Sequence, residues 1–202
     1  MTGLFPTAYF GSVAYFQFLL RYPDVVIEAY DHFPKQTFRN RCTISVPQGS
    51  HRLTVPVERP NGSKTLSKDI CVSYKQDWRK DHWRALQSAY ASAPYFEHYE
   101  REIRELIYAP ADGLLAFNLH LTQTVLGLFD TAAAFRFTEE YVPLEGSEAD
   151  LRSTDFDDSA LEGFTVYPYQ QVYFGQADFA PNRSILDLLF CEGPIGRKQL
   201  GF

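Results

Sequence analysis

This sequence predicts an α+β fold: a mixed sheet with a βαβ-like N-terminal unit, a β-hairpin and a central group of about three helices. Two patterns predict it. Short runs rich in β-branched and aromatic residues fall between residues 4 and 74 and recur at 135–142 and 164–174. Apolar residues at helical spacing instead dominate 78–129. The size agrees with a single domain, 1–202, because 202 residues with 45% hydrophobic content can bury a core without disulfides or a structural metal.

Residues 4–9 read as a strand. Ser12 caps a helix through residue 22, with Val13, Phe16, Leu19 and Leu20 on one face, and Pro23-Asp24 ends it before the strand begun by Val25-Val26-Ile27. Residues 41–46 and 53–57 form a hairpin around Gln48-Gly49-Ser50, with Cys42, Ile44 and Val46 facing Leu53, Val55 and Val57. Residues 69–74 add a strand. Asp77 caps a helix over 78–91 whose apolar stripe is Trp78, Ala85, Leu86 and Ala89. Pro94 restarts a helix carrying Phe96, Tyr99, Ile103 and Leu106, and a third runs over 112–129. After a strand at 135–142, residues 145–162 hold seven acids against Arg152 alone and read as an acidic surface loop. Strand character returns at 164–174. Asn182 or Ser184 then caps a final helix over 185–191, closed by Gly193-Pro194.

Charge and cysteine usage narrow the function classes. The net charge of −6 argues against general nucleic-acid binding. It is uneven: residues 35–84 carry eleven Lys and Arg against four acids, a local excess of +7. No run reaches the ~20 apolar residues of a membrane span, and the apolar start lacks the basic region of a signal peptide. Cys42, Cys71 and Cys191 are odd in number and form no CxxC pair, which points to a reduced cytoplasm. The five histidines never sit three or four residues from another His or Cys, and GxGxxG, GxxxxGK[ST] and GxSxG are absent, so no metal or cofactor is expected.

Lys35-Gln36-Thr37-Phe38-Arg39-Asn40-Arg41-Cys42 is the densest chemistry-bearing segment. On a strand start, Arg39 and Arg41 share a face, and two guanidiniums there form a receptor for phosphate or carboxylate. A solvated edge strand is the alternative. His82 shares the inward stripe of Trp78 and Leu86, as a general acid/base or as a hydrogen-bonded core histidine. Asn118, on the face of Leu114, Leu121 and Val125, needs partners in backbone or ligand. Tyr167, Tyr169 and Tyr173 could line a sugar or nucleotide pocket or simply pack. Cys42 with His82 is the one thiol–base pair that a Cys/His hydrolase could use.

As an ordered set, several segments resemble the WbqC-like family. They are Ala-Tyr-Phe-Gly-Ser-Val-Ala-Tyr-Phe at 8–16, the Lys35–Cys42 segment, Leu53 and Pro56-Val57, Trp78 with His82-Trp83, Ser88-Ala89-Tyr90 with Pro94-Tyr95-Phe96 and Tyr99, Phe117-Asn118, Pro168-Tyr169-Gln170-Gln171-Val172-Tyr173 and 184–190. Lys35, Phe38, Asn40, Arg41 and Ile44 match the family's distinctive pattern, with Cys42 where that pattern carries a second Asn. The resemblance implies an amino-acyl (glycine) or acyl transferase that decorates an activated or lipid-linked sugar in O-antigen or other surface-polysaccharide biosynthesis. Its partner would be a small-molecule sugar or sugar nucleotide. His82 would act as the base, Lys35 or Asn40 would stabilise the oxyanion, and Arg39, Arg41, Trp78, Asn118 and Tyr169 would hold substrate. A non-catalytic binding or assembly protein of such a pathway is the competing expectation.

Overall fold

A computed structural model describes residues 1–143, 149–173 and 178–201. Strand β1 (Thr2–Phe5) stops at Pro6, which cannot donate to a ladder, so it is shorter than the run 4–9 suggested. Ser12 accepts a hydrogen bond from the Tyr15 amide and caps α1 (Val13–Leu20). Strand β2 (Asp24–Ile27) then lies parallel to β1, completing the βαβ unit, and β7 (Phe135–Phe137) adds a third parallel strand beside β2.

Strands β3 (Arg41–Val46) and β4 (Gly49–Thr54) pair antiparallel around a two-residue turn at Pro47-Gln48, with Gly49 at φ 117°. That turn sets the register. Cys42 faces Leu53 as expected, but Ile44 faces His51, and Val57 leaves to join β5 (Val57–Glu58), paired with β6 (Cys71–Val72). Helices α2 (Trp78–Tyr90), α3 (Phe96–Tyr108) and α4 (Leu114–Leu128) form the central group. Asp77 occupies the cap position of α2 without a side-chain capping bond. Helix α5 (Ile185–Glu192) is capped by Ser184 and ends at Gly193, φ 59°. A Cβ there would meet the Tyr95 ring at 2.5 Å, so glycine serves both the backbone and the packing.

Two further expectations are corrected. Residues 164–173 form no strand, because the Gln199 side chain takes both the Tyr167 amide and its carbonyl (2.9 and 3.0 Å) and Pro168 follows. The acidic stretch is no free loop over its described part, 149–162; its start falls in 144–148, outside the described residues. Leu4 exchanges backbone bonds with Ala149 and Leu151 (2.9 Å each). Phe156 is wholly buried against Phe5, Tyr15, Phe18 and Phe38. Its carbonyl accepts from Ser12 Oγ (2.6 Å) and Asn182 Nδ2 (2.8 Å). Burying such a ring contributes about 2–3 kcal/mol, enough to pin an otherwise polar segment. Among the described residues no helix is long and apolar enough to cross a membrane.

Candidate functional site

A cleft of about 580 Å³ opens between the 31–41 segment, the β3–β4 hairpin, Tyr141 and residues 152–157. Four guanidiniums line it: Arg39, Arg41, Arg52 and Arg152. Two of these are held by acids. Arg39, 4% exposed, pairs with Asp31 at 2.7 Å and donates to Ser67 Oγ at 2.9 Å, while Ser67 donates to the other Asp31 oxygen. Arg152 donates to the wholly buried Glu28 at 2.8 Å, to the Val142 carbonyl at 2.8 Å and to both oxygens of Asp150. Those bonds to Asp150 raise its pKa further, so it stays charged.

Arg41 and Arg52 differ. In the hairpin register Arg41 faces Thr54 and Thr43 faces Arg52, so the two arginines lie diagonally on one face. Neither makes an ion pair within 4 Å among the described residues. Among the described residues the Arg41 Nε is buried without a hydrogen-bond partner, a donor that a ligand anion would satisfy. Asp155, Asp157 and the half-exposed Tyr141 complete the working surface, and Arg152 stacks 5.0 Å from the Tyr141 ring centre. Asp157 is exposed as a residue, yet enough of the fold crowds its carboxyl to raise its pKa. Asp155 adds to the rise and Arg52 opposes it. The loop bordering the cleft carries Gln36 in the left-handed region, φ 57°. Among the described residues no group of three His, Cys, Asp or Glu converges as a metal site.

Of the residues singled out from sequence, Arg39 and Arg41 do converge on this cleft, while the others lie elsewhere. Lys35 is exposed on the bordering loop, outside the lining. Asn40 is buried, its amide donating to the Val55 carbonyl at 2.8 Å. Asn118, wholly buried, donates to the Arg39 carbonyl at 2.6 Å and to Thr7 Oγ1 at 3.2 Å, so it supports the arginine segment from behind. Trp78 packs edge-on against His82 and Tyr9. Tyr169 is buried and donates to Asp187 at 2.7 Å.

His82 is a core histidine. Its Nδ1 accepts a hydrogen bond from the Tyr9 hydroxyl at 2.9 Å and its Nε2 donates to the Thr54 carbonyl at 3.2 Å. Burial lowers its pKa to about 4, with the Thr54 bond and Asp81 opposing the shift. Cys42 is buried too, and burial together with Asp157 raises its thiol pKa well above the usual value, which disfavours thiolate chemistry. The Cys/His pairing therefore has no chemical basis here. Sequence reasoning missed Arg52, Arg152, Tyr141, Asp155 and Asp157 as site residues. Hairpin register could have found Arg52; the others depend on a chain return that no local signal encodes.

No solved structure matches the chain. The uncharacterized protein Rv1507c of Mycobacterium tuberculosis is 31% identical over 88 residues, a stretch covering 44% of this chain and 35% of that protein. The match thus spans about a third of that relative's length. The sequence profile of the WbqC-like protein family matches residues 7–162, a span that includes every residue lining the cleft, and the chain belongs to that family.

Proposed function

We propose that the protein transfers an acyl or amino-acyl (glycyl) group onto a sugar that carries a phosphate or carboxylate, as a step in cell-surface polysaccharide biosynthesis. The observation that carries this reading is the pair of arginines on one hairpin face, Arg41 and Arg52, open to a cleft of small-ligand size. Their forks hold the ligand's anion, while Arg39 and Arg152, paired with their acids, form the fixed wall behind it.

The proton-handling role passes from His82 to Asp157, whose raised pKa suits a base in the cleft wall. The acceptor amine or hydroxyl attacks the carbonyl carbon of an activated acyl donor, forming the new N–C or O–C bond. The donor's leaving group departs with the electron pair of the broken bond, and the proton lost by the nucleophile goes to the Asp157 carboxylate. Arg41, with its unpartnered Nε, faces the developing oxyanion or the ligand phosphate.

Incubation with sugar phosphates and sugar nucleotides together with activated glycine, followed by mass spectrometry, tests this. A glycyl mass gain that disappears in Arg41→Ala and in Asp157→Asn is expected. Arg41-dependent binding of sugar phosphates with no mass gain from any donor would instead make this a binding protein of the pathway.

A further inference from the structure

Within that proposed transfer site, the cleft's charges divide in a way that specifies the ligand further. Asp31 neutralises Arg39, and Glu28 with Asp150 neutralises Arg152. What remains for a ligand is two cations on the hairpin and two carboxylates on the facing segment, Asp155 and Asp157. The carboxylates are set by the residue between them. Phe156 points into the core and is wholly buried, and Ser12 and Asn182 hold its carbonyl. Its two neighbours are thereby turned outward into the cleft. Asp155 accepts one bond, from the Asp157 amide at 3.1 Å. The Asp157 carboxyl has no hydrogen-bond or ion-pair partner within range among the described residues, and burial, then the Asp155 charge, raises its pKa against the opposing pull of Arg52.

A simple anion on Arg41 and Arg52 would meet repulsion from Asp155 and Asp157, and a simple cation would meet the reverse. A ligand with both charges satisfies both walls. We infer that the cleft is a receptor for a bipolar ligand, an amino sugar bearing a phosphate or a comparable amine–anion pair, with its anion on Arg41 and Arg52 and its ammonium on Asp155 and Asp157.

Titration calorimetry on the intact protein with glucosamine 1-phosphate, glucose 1-phosphate and inorganic phosphate tests this. The amino compound should bind at least about tenfold more tightly than its hydroxyl counterpart, the value of a charge-assisted bond. The double variant D155N/D157N, checked for unchanged thermal unfolding, should lose that preference while glucose 1-phosphate binding persists or tightens. Equal affinities for the two sugars in the unaltered protein would overturn the inference. So would a preference that survives in the double variant, or a D157N that tightens both sugars equally, the mark of an Arg52–Asp157 self-pair. Such outcomes leave the transferase reading standing, whereas failure of every phosphate compound to bind would remove both.

Discussion

 Arg41 and Arg52 stand diagonally across the β3–β4 ladder on one face, Arg41 opposing Thr54 and Arg52 opposing Thr43. The ladder register alone places both side chains on one face. Neither has an ion-pair partner among the described residues. Each should contribute one charge-assisted contact to a bound anion, about 1.5–3 kcal/mol. Arg41→Ala and Arg52→Ala are therefore each expected to weaken glucose 1-phosphate binding about tenfold or more by calorimetry. Their unfolding midpoints should barely move, because no intramolecular ion pair is lost. Unchanged affinity in both variants would show that the anion sits elsewhere.

The Tyr9–His82 bond gives a pH prediction. His82 has a folded pKa of about 4, below its ordinary value of 6.5, so the unfolded chain binds more protons between those limits. Its contribution to stability is complete above about pH 6.5, falls as pH drops toward 4 and changes no further below that, an effect of about 3 kcal/mol. Urea titrations at pH 7 and pH 4.5 should show the loss in the unaltered protein. The difference should shrink in His82→Gln, which has no imidazole to protonate. An imidazole that titrates near 6.5 by NMR would contradict the buried neutral state.

Arg152 ties the cleft to the parallel sheet through the wholly buried Glu28. Arg152→Met leaves that carboxylate buried without its cation and should cost about 3–5 kcal/mol. Adding Glu28→Gln should restore part of the loss, because the second substitution removes the uncompensated charge. Denaturant unfolding of both single variants and the double variant measures the coupling; strictly additive costs would argue that the pair does not interact.

Local chemistry made much of the fold legible. Ser12 and Ser184 cap their helices, Gly193 ends α5, and the periodicity of Phe96, Tyr99 and Ile103 marks α3. Long-range pairing was harder to read. Arg39 and Arg41 reach the cleft as their spacing suggested, but Arg152, Asp155 and Asp157 arrive from more than a hundred residues away, placed by one buried ring, Phe156. An acid-rich composition masks that single anchor. His82 and Asn118 were recognisable as inward-facing polar residues, yet whether such a group meets backbone or ligand depends on partners at 28, 73 and 79 residues' separation.

Tyr169 illustrates that same division, and its role can be tested against Tyr90. Asp187 is wholly buried and accepts from Tyr90 at 2.8 Å, Tyr169 at 2.7 Å and Gln171 at 2.7 Å. Burial, then the Asp187 charge, raises both phenol pKa values well above normal, so both remain donors throughout the physiological range. Tyr169→Phe removes one bond to a buried carboxylate and should cost about 1.5–3 kcal/mol. Tyr90→Phe should cost more, because the Tyr90 oxygen also accepts the Ser45 amide at 3.1 Å and that donor would be left buried without a partner. Neither substitution should alter glucose 1-phosphate affinity, since neither residue lines the arginine cleft. Urea unfolding with parallel calorimetry checks both parts. Equal stability costs would remove the special role of Tyr90, and a selective loss of ligand affinity in Tyr169→Phe would return that tyrosine to the binding site that its sequence context suggested.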